Sequence, residues 1–158
     1  MIVNIPAGPV QIIKFDFETE AEKYLPDYVR PLEPARVSGK LIKIEDGFKA
    51  EGKISYGFEY DCDLCLKPSK FSKTVEFNEI FKRDYDEDTY HFEGDKIDLT
   101  QLVTDAIVLS LPSRLICKPD CKGLCPICGT DRNVQKCGCK VEEAVNNPFD
   151  ILKGIGGE

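Results

Sequence analysis

Apolar and polar residues alternate along two consecutive stretches of the chain, with a turn between them. Val37–Ile44 predicts one strand and Phe48–Tyr60 predicts its return strand, because the Asp-Gly dipeptide in the intervening Glu45–Gly47 turn is typical of a hairpin. Apolar residues of one parity in the return strand should share one face of a sheet. They are Phe48, Ala50, Ile54, Tyr56, Phe58 and Tyr60, and Cys62 continues the series.

Further strands are predicted on both sides of this hairpin. Phe71–Phe81 alternates in the same way, with Phe and Val at positions of one parity. Near the N-terminus, residues 1–17 predict one or two strands with a turn at Pro6–Pro9. Residues 18–36 are charged and carry three prolines, so we interpret them as a loop with a helical turn near Thr19–Tyr24.

One amphipathic helix is predicted over residues 98–111. Asp98 is expected to cap its N-terminus, Gln101 to complete a capping box, and Pro112 to end the helix. Its apolar residues recur at helical spacing, which predicts a stripe packed on the sheet. They are Leu99, Leu102, Val103, Ala106, Ile107 and Leu111.

An acidic stretch precedes this helix. Residues 84–98 carry seven acidic residues and one lysine. Like charges repel one another and stay hydrated, and these carboxylates lack the spacing of a calcium-binding loop. We therefore interpret the stretch as a solvated loop.

These patterns predict an α+β protein in two parts. Residues 1–112 should form an antiparallel β-rich domain with a C-x-x-C hairpin tip and one packed helix. Residues 113–158 should form a cysteine-rich zinc module with a short C-terminal tail, because they hold too few large apolar residues to build a core unaided. In that tail, Lys140–Val145 predicts a helical turn, and Asn147-Pro148 predicts a helix start.

The charge of the 158-residue chain is unevenly distributed. A formal net charge of −7 argues against a protein that coats nucleic acid non-specifically. The segment from Pro112 to Lys140, however, has six basic and two acidic residues, a net +4, against −11 elsewhere. A site of four thiolates around Zn²⁺ adds a net charge of about −2, so any basic patch there is modest. The candidates for nucleic-acid binding are Arg114, Lys118, Lys122, Arg132, Lys136 and Lys140.

Eight cysteines are the strongest chemical signal in the chain. Six lie within the 23 residues Cys117–Cys139, and the other two form the C-x-x-C pair Cys62 and Cys65 at the predicted hairpin tip. The N-terminal residues lack the pattern of a signal peptide, and no apolar run reaches the length of a membrane span. We therefore expect a cytoplasmic protein, in which reduced thiols favour metal binding over four disulfides.

The sharpest metal-binding motif is the knuckle Cys125-Pro126-Ile127-Cys128-Gly129. Its proline rigidifies the turn, and its glycine permits the positive φ that brings an amide close to a thiolate. Our preferred assignment joins Cys125 and Cys128 to Cys137 and Cys139 in one tetrahedral zinc site. The remaining four cysteines would form a second site: Cys62, Cys65, Cys117 and Cys121.

Two other arrangements of these thiols stay open. Cys62 and Cys65 could instead share a site with Cys125 and Cys128, or they could be free thiols packed near the sheet edge. The spacing of the cysteines alone does not choose among the three schemes.

Redox and catalytic interpretations are disfavoured. The cysteines of residues 121–128 have the C-x3-C-x2-C spacing of radical S-adenosylmethionine enzymes, but those enzymes need a large parallel α/β barrel. A thioredoxin-like role for Cys62 and Cys65 is disfavoured because a strand rather than a helix follows them. We interpret the single histidine, His91, as a surface residue, and the chain has no catalytic triad or Walker loop. We expect one or two structural zinc ions and no enzymatic activity.

The order of these motifs resembles a known family. A C-x-x-C-L-x-P segment at Cys62–Pro68 is followed by I-D-L at Ile97–Leu99, and then by the string L-x-C-x-x-x-C-K-G-L-C-P-x-C-G-x-x-x-N at Leu115–Asn133. Cys137 and Cys139 close the series. This pattern is similar to that of the YceD family, the large ribosomal RNA subunit accumulation proteins.

The resemblance covers nearly the whole chain and is strongest in residues 60–68 and 97–139. It departs from the family near the C-terminus, where the family often has Asp-Pro-Arg-Phe and this chain has Asn147-Pro148-Phe149-Asp150. The missing arginine weakens any expectation that this tail binds RNA through that residue.

The resemblance implies a factor needed for normal accumulation of 23S ribosomal RNA, acting in assembly of the large ribosomal subunit. The expected partner is a pre-large-subunit particle, through a ribosomal protein or rRNA, with no membrane and no small-molecule substrate. In one version, the acidic residues 84–98 contact a basic ribosomal protein while the six basic residues face RNA. The alternative is a zinc- or thiol-responsive regulatory protein that releases metal on oxidation.

Overall fold

The computed structural model describes residues 1–8, 11–84 and 86–139. The predicted helical turn at 140–145, the helix start at Asn147-Pro148 and the candidate RNA-binding residue Lys140 lie outside these described residues. The elements are β1 (Ile2–Asn4), β2 (Ile12–Thr19), a short 3-10 helix (Ala21–Lys23), β3 (Arg30–Pro31), β4 (Ala35–Ile44), β5 (Gly47–Asp61), β6 (Pro68–Lys82), β7 (Tyr90–His91), β8 (Lys96–Asp98) and α1 (Thr100–Ser110).

A six-stranded sheet forms the body of the protein. Its strand order is β2-β4-β5-β6-β7, and β3 pairs with β5 next to Phe58 and Glu59, beyond the point where β4 stops. All neighbours are antiparallel except β6 and β7, which pair in parallel over two residues. The prediction of an antiparallel sheet with one main helix is therefore correct for most of the fold, and the short parallel pair is a correction. Strands β1 and β8 form a separate antiparallel pair.

The hairpin of β5 and β6 is the longest element and sets the position of the first cysteine pair. Its register runs from Gly47 opposite Lys82 to Asp61 opposite Pro68. The predicted one-face pattern of β5 is confirmed, because the apolar residues from Phe48 to Tyr60 that share its parity are all buried. Cys62 continues the same parity and is fully buried. The alternation of β5 therefore places this thiol on the buried face of the sheet.

The turn between β4 and β5 differs from the prediction in one residue. Only Glu45 and Asp46 form the turn, and Gly47 already pairs with Ile44 as part of β5. A side chain at position 47 would collide with the backbone carbonyl of Phe81 on β6. This glycine is therefore needed for close packing of two strands rather than for the turn conformation.

Helix α1 covers the inner face of the sheet. Its predicted apolar stripe is confirmed as core, since Leu102, Val103 and Ile107 are buried. The hydroxyls of Tyr56 and Ser110 lie 2.7 Å apart and join β5 to the end of the helix. The helix begins at Thr100, two residues later than predicted.

The N-terminus of α1 is capped differently from the prediction. The Asp98 carboxylate accepts the Thr100 backbone N–H at 2.9 Å. Among the described residues, Gln101 makes no side-chain hydrogen bond back to Asp98, so the predicted capping box is wrong. The helix therefore gains one hydrogen bond at this end rather than the reciprocal pair.

The acidic stretch is not entirely a loop, which corrects the interpretation of residues 84–98. It contains β7 and β8, and two of its apolar residues, Phe92 and Ile97, are buried. The charge density led to a loop prediction, but burial of these two side chains and pairing of β8 with β1 hold the segment in place. Its carboxylates remain at the surface.

Candidate metal centres

The end of β5 turns sharply to bring Cys62 and Cys65 together. The Cys62 N–H donates to the Lys67 carbonyl at 3.0 Å, and the Leu66 N–H donates to the Cys62 carbonyl at 2.8 Å. Leu66 adopts the left-handed conformation, with φ of 58°. This turn reverses the chain into β6 and directs two thiols to one side.

The second knuckle repeats the same backbone turn. The Cys125 N–H donates to the Thr130 carbonyl at 2.8 Å, and the Gly129 N–H donates to the Cys125 carbonyl at 2.9 Å. Gly129 has φ of 70°, so the predicted positive φ is confirmed. The two C-x-x-C turns therefore share one hydrogen-bond pattern, with leucine at the left-handed position in one and glycine in the other.

The eight thiols lie in two groups of four. Site A consists of Cys62, Cys65, Cys117 and Cys121, and site B consists of Cys125, Cys128, Cys137 and Cys139. Within each group all four sulfurs lie within 4.8 Å of one another. These are the two groups of the preferred assignment, and the structure does not bring Cys62 and Cys65 together with Cys125 and Cys128.

The sulfur spacing suits a metal ion rather than disulfides. In site A, the Sγ atoms of Cys62 and Cys121 are 3.9 Å apart, and those of Cys65 and Cys117 are 3.7 Å apart. A tetrahedral zinc ion with Zn–S bonds of about 2.3 Å places its sulfurs about 3.8 Å apart. A disulfide needs about 2.05 Å. Either group could hold one metal ion of a kind that accepts four thiolates in a tetrahedron, as zinc does.

The thiols of site A differ in acidity. Burial alone would raise the pKa of Cys62, but backbone N–H groups of Cys117, Leu64 and Cys65 point at its sulfur and lower the pKa to about 6. The Cys117 N–H lies 3.3 Å from that sulfur. Burial and the neighbouring Cys121 raise the pKa of Cys117 to about 12. The surroundings of site A therefore favour the thiolate form at Cys62 and the thiol form at Cys117.

Site B shows the same division at a more exposed position. The Thr130 hydroxyl and backbone N–H stabilise the Cys128 thiolate and lower its pKa to about 6. The thiolate of Cys128, followed by burial, raises the pKa of Cys139 to about 12. Cys128 is exposed, whereas Cys62 and Cys65 of site A are buried. A metal ion in site B would therefore be the more accessible of the two.

Hydrogen bonds outside the thiols attach the cysteine-rich segment to the hairpin tip. The Asp63 N–H donates to the Leu115 carbonyl at 2.8 Å, and the Leu115 N–H donates to the Asp63 carboxylate at 2.7 Å. The Tyr60 hydroxyl donates to the Ile116 carbonyl at 2.9 Å. These residues fix Cys117 opposite the first knuckle. Sequence reasoning did not single out Tyr60 or Asp63 for this role, because only the fold brings them to residues 115–116.

Asn133 lies between the two sites. It belongs to the loop that connects the ligands of site B, yet its Nδ2 donates to Cys121 Sγ of site A at 3.5 Å. Its Oδ1 accepts the Lys122 N–H at 2.9 Å. In the sequence, Asn133 is the last residue of the family motif Leu115–Asn133, and no pattern indicates a role for its side chain.

Three of the predicted basic residues converge and two do not. Lys122, Arg132 and Lys136 line one cavity of about 440 Å³ together with Cys125, Cys137 and Cys139. We call this cavity the basic cleft. Lys118 lies outside it, 3.5 Å from Asp120 in an ion pair, and Arg114 is exposed elsewhere. His91 is half-exposed and 3.4 Å from Glu93, in neither cysteine group.

A comparison with protein families identifies the chain over about the last two thirds of its length. The family model described as "Large ribosomal RNA subunit accumulation protein YceD" matches residues 50–156, which include all eight cysteines. The chain belongs to the YceD family. The family resemblance seen in the motifs is thereby confirmed, and both sites and the basic cleft lie within the YceD region.

Individual relatives come from bacteria and plants. An uncharacterized protein of Mycobacterium tuberculosis is 32% identical over 119 residues, covering 61% of this chain and 58% of that protein. A protein of Arabidopsis thaliana named large ribosomal RNA subunit accumulation protein YCED homolog 1, chloroplastic, is 39% identical over 59 residues, which cover 36% of this chain and 18% of the plant protein. The chain thus spans less than two thirds of these relatives.

Two further observations are negative. No solved structure matches the chain. In the described part of this YceD-family chain, no helix combines the length and the apolar character needed to cross a bilayer.

Proposed function

We propose that this YceD-family protein is a non-enzymatic factor in biogenesis of the large ribosomal subunit that supports accumulation of 23S ribosomal RNA. The observation that carries the proposal is the basic cleft, which a cysteine group shapes within the family-matched region. The names of the plant relatives support the process, and the cleft supplies a surface on which RNA phosphates could bind. The proposed place of action is the cytoplasm.

Zinc in this proposal is structural. Each cysteine group offers four thiolates to one ion, which leaves no open coordination position for water or substrate. When bound, zinc would hold each group in one fixed geometry. Sites A and B would then keep Lys122, Arg132 and Lys136 in place along the cleft.

The charge of the cleft supports contact with phosphate rather than with a neutral ligand. Three cations surround thiols that, with zinc, carry a net charge of about −2, so part of their charge stays available. Each phosphate neutralised by a lysine or arginine releases counterions, which makes binding salt-dependent. We propose rRNA within a pre-large-subunit particle as the partner of this cleft.

The opposite charge lies on another surface of the protein. Glu79, Asp86, Glu87, Asp88 and Asp105 line a second cavity of about 380 Å³ around Tyr90 and His91. In the proposal, this acidic surface contacts a basic ribosomal protein of the same particle. Opposite potentials across such a contact raise the association rate and select the partner.

A charge-reversal experiment tests the RNA contact. Binding to rRNA fragments and to pre-large-subunit particles is measured at graded salt for the wild type and for Lys122→Glu, Arg132→Glu and Lys136→Glu combined. We expect the slope of log affinity against log salt to fall by about 2, since each lost phosphate contact removes about 0.7–0.9. Exposed lysines on other surfaces provide a control with the same charge change: Lys14→Glu, Lys53→Glu and Lys96→Glu. Equal losses in both triple variants, or no association at any salt, would exclude the cleft.

A second candidate function is a zinc- or thiol-responsive regulator. The exposure of Cys128 favours it, because an accessible thiolate is open to oxidants. Metal retention under mild peroxide distinguishes the two functions. A structural factor keeps both ions, whereas a regulator loses the ion of site B at oxidant levels that leave site A loaded.

A further inference from the structure

We propose that sites A and B bind metal cooperatively and that Asn133 is the residue that couples them. This inference rests on the proposed metal binding and adds a thermodynamic link between two ions. The loop between the ligands of site B donates a hydrogen bond to Cys121, a ligand of site A. Binding of a metal ion at one site should therefore raise the metal affinity of the other.

The orientation of the Asn133 amide follows from its surroundings. The Lys122 N–H can only donate, so it fixes the amide oxygen of Asn133 on its side at 2.9 Å. The NH2 group then points the other way, towards Cys121 Sγ at 3.5 Å and Asp131 Oδ1 at 2.8 Å. A donor aimed at a thiolate stabilises the charged form that a metal requires.

Backbone hydrogen bonds join the same segments in a continuous layer. The Leu124 N–H donates to the Leu64 carbonyl of the first knuckle at 2.8 Å, and the Arg132 N–H donates to the Gly123 carbonyl at 3.0 Å. Leu124 and Asp131 form an isolated antiparallel bridge. The first knuckle, the residues after Cys121 and the loop of site B are therefore hydrogen-bonded in series.

Gly123 allows this layer to be compact. It has φ of 65°, and a side chain at this position would come within 2.8 Å of the Leu64 carbonyl oxygen. The strand-like contact between the two sites thus depends on direct backbone approach. Because these backbones are in direct contact, a movement of the site B loop should also displace the residues beside Cys121.

The cooperativity would arise from conformational entropy, because the first ion orders residues that the second ion also needs ordered. Few large apolar side chains hold residues 113–139, since Leu115 and Cys125 are the hydrophobic residues buried in that range. A metal ion held by the site B cysteines would restrict the loop from Cys128 to Cys137 and so keep Asn133 against Cys121. The second ion then binds to a segment whose conformational freedom is already restricted, and the coupling is reciprocal.

The test measures the metal affinity of site A in four backgrounds of the full chain. Cadmium NMR with a competing chelator resolves the two sites separately. Site B is left intact or disabled by Cys128→Ser with Cys137→Ser, and each form is made with and without Asn133→Asp. The substitution keeps the side-chain size but replaces the NH2 donor with an acceptor facing Cys121. Gln135→Ala is the control, an exposed amide residue in the same loop.

We expect Asn133→Asp to weaken site A by about 10–100-fold when site B is intact, and Gln135→Ala to leave it unchanged. Disabling site B should weaken site A by a similar factor, and Asn133→Asp should then add little. Full additivity of the two changes, or an unchanged site A when site B is disabled, overturns the coupling while two metals per wild-type chain still support the proposed sites. A wild-type chain that binds no metal overturns both.

Discussion

Phe15 and Phe77 stack on each other across two intervening strands, with ring centroids 6.4 Å apart and 11° between their planes. They belong to β2 and β6, and the residues between them in the same row are Gly39 and Gly52. The missing side chains leave a slot that both rings fill from opposite sides. Each phenyl group lies where the neighbouring glycine would carry its Cβ, 2.8 Å from the position at Gly39 and 2.7 Å from that at Gly52.

Replacing Gly52 with alanine should destabilise the sheet by about 2–3 kcal/mol, in the upper range for overpacking. The added methyl group would meet the Ser38 carbonyl and the ring of Phe77. Denaturant unfolding of the metal-loaded protein measures the change. Gly138→Ala is the control, since no atom of the described residues lies within 4 Å of its added methyl. Equal stability of the two variants would contradict the slot.

The left-handed residue of the first knuckle is predicted to be a point of strain. Leu66 has φ of 58°, and its side chain is 65% exposed, so it contributes little packing in return. Leu66→Gly should stabilise the protein by about 0.5–1 kcal/mol, after subtracting the larger unfolded-state entropy of glycine. Gly129→Leu, at the equivalent position of the second knuckle, should destabilise it. Chemical unfolding of both variants with metal bound checks this pair, and a loss of stability in Leu66→Gly would refute the strain.

Asp63→Ala should weaken metal binding at site A directly and affect site B less, only through the proposed coupling. The substitution removes the acceptor of the Leu115 N–H, and a part-buried donor left without a partner costs about 1–3 kcal/mol. Cys117, two residues further along, would lose its fixed position. Asp120→Ala removes an exposed carboxylate of the same segment and should have no such effect. Chelator competition gives both affinities, and the prediction fails if the two variants behave alike.

Metal affinity should rise with pH across the neutral range. The pKa of Cys62 and Cys128 is lowered to about 6, and that of Cys117 and Cys139 is raised to about 12. Between these values, an entering ion must displace protons from the raised-pKa thiols, so raising the pH assists binding. Below about pH 6 the lowered-pKa thiolates also become protonated, and affinity should fall more steeply. Calorimetry in buffers of different ionisation enthalpy counts the protons released, and a count of zero at pH 7 would contradict the prediction.

Chelation should loosen residues 113–139 before the sheet. The buried side chains of β4, β5 and α1 form their own core, whereas the cysteine-rich segment has few buried apolar residues. Hydrogen exchange with and without a strong chelator should show lost protection around sites A and B and retained protection at Val37 and Ile54. Uniform loss along the chain would instead indicate that the metal supports the whole fold.

The hairpin and the helix were predictable because their apolar residues recur at the spacing typical of a strand and of a helix. The alternation from Phe48 to Tyr60 and the stripe from Leu102 to Ile107 match the burial that the structure shows. The acidic stretch was harder, since its two buried residues, Phe92 and Ile97, are outnumbered by charges. Strands β8 and β1 are far apart in the chain, and no local sequence pattern predicts that they pair.

The cysteine sites were predictable in composition but not in their surroundings. The knuckle motif led to a preferred assignment among three schemes, and the structure brings together the same two groups of four thiols, while their occupation by metal stays a prediction. The roles of Asp63 and Asn133 could not be predicted, because each depends on a hydrogen bond to a distant residue. Asp63 bonds Leu115, 52 residues away, and Asn133 bonds Cys121, 12 residues away. The basic residues showed only a net charge in the sequence, and the fold selects Lys122, Arg132 and Lys136 from among them.

We expect site A to give the protein a defined order of assembly. Its two halves are far apart in the chain, since Cys65 and Cys117 are 52 residues apart, and one half exists only once β5 and β6 have paired. A metal ion bound there would close a long loop whose ends the sheet, helix α1 and the contacts of residues 115–116 have already brought together. The basic cleft beside site B would then form last, on chains with a finished sheet. An incompletely folded chain would therefore lack the cleft that we propose as the RNA-binding surface.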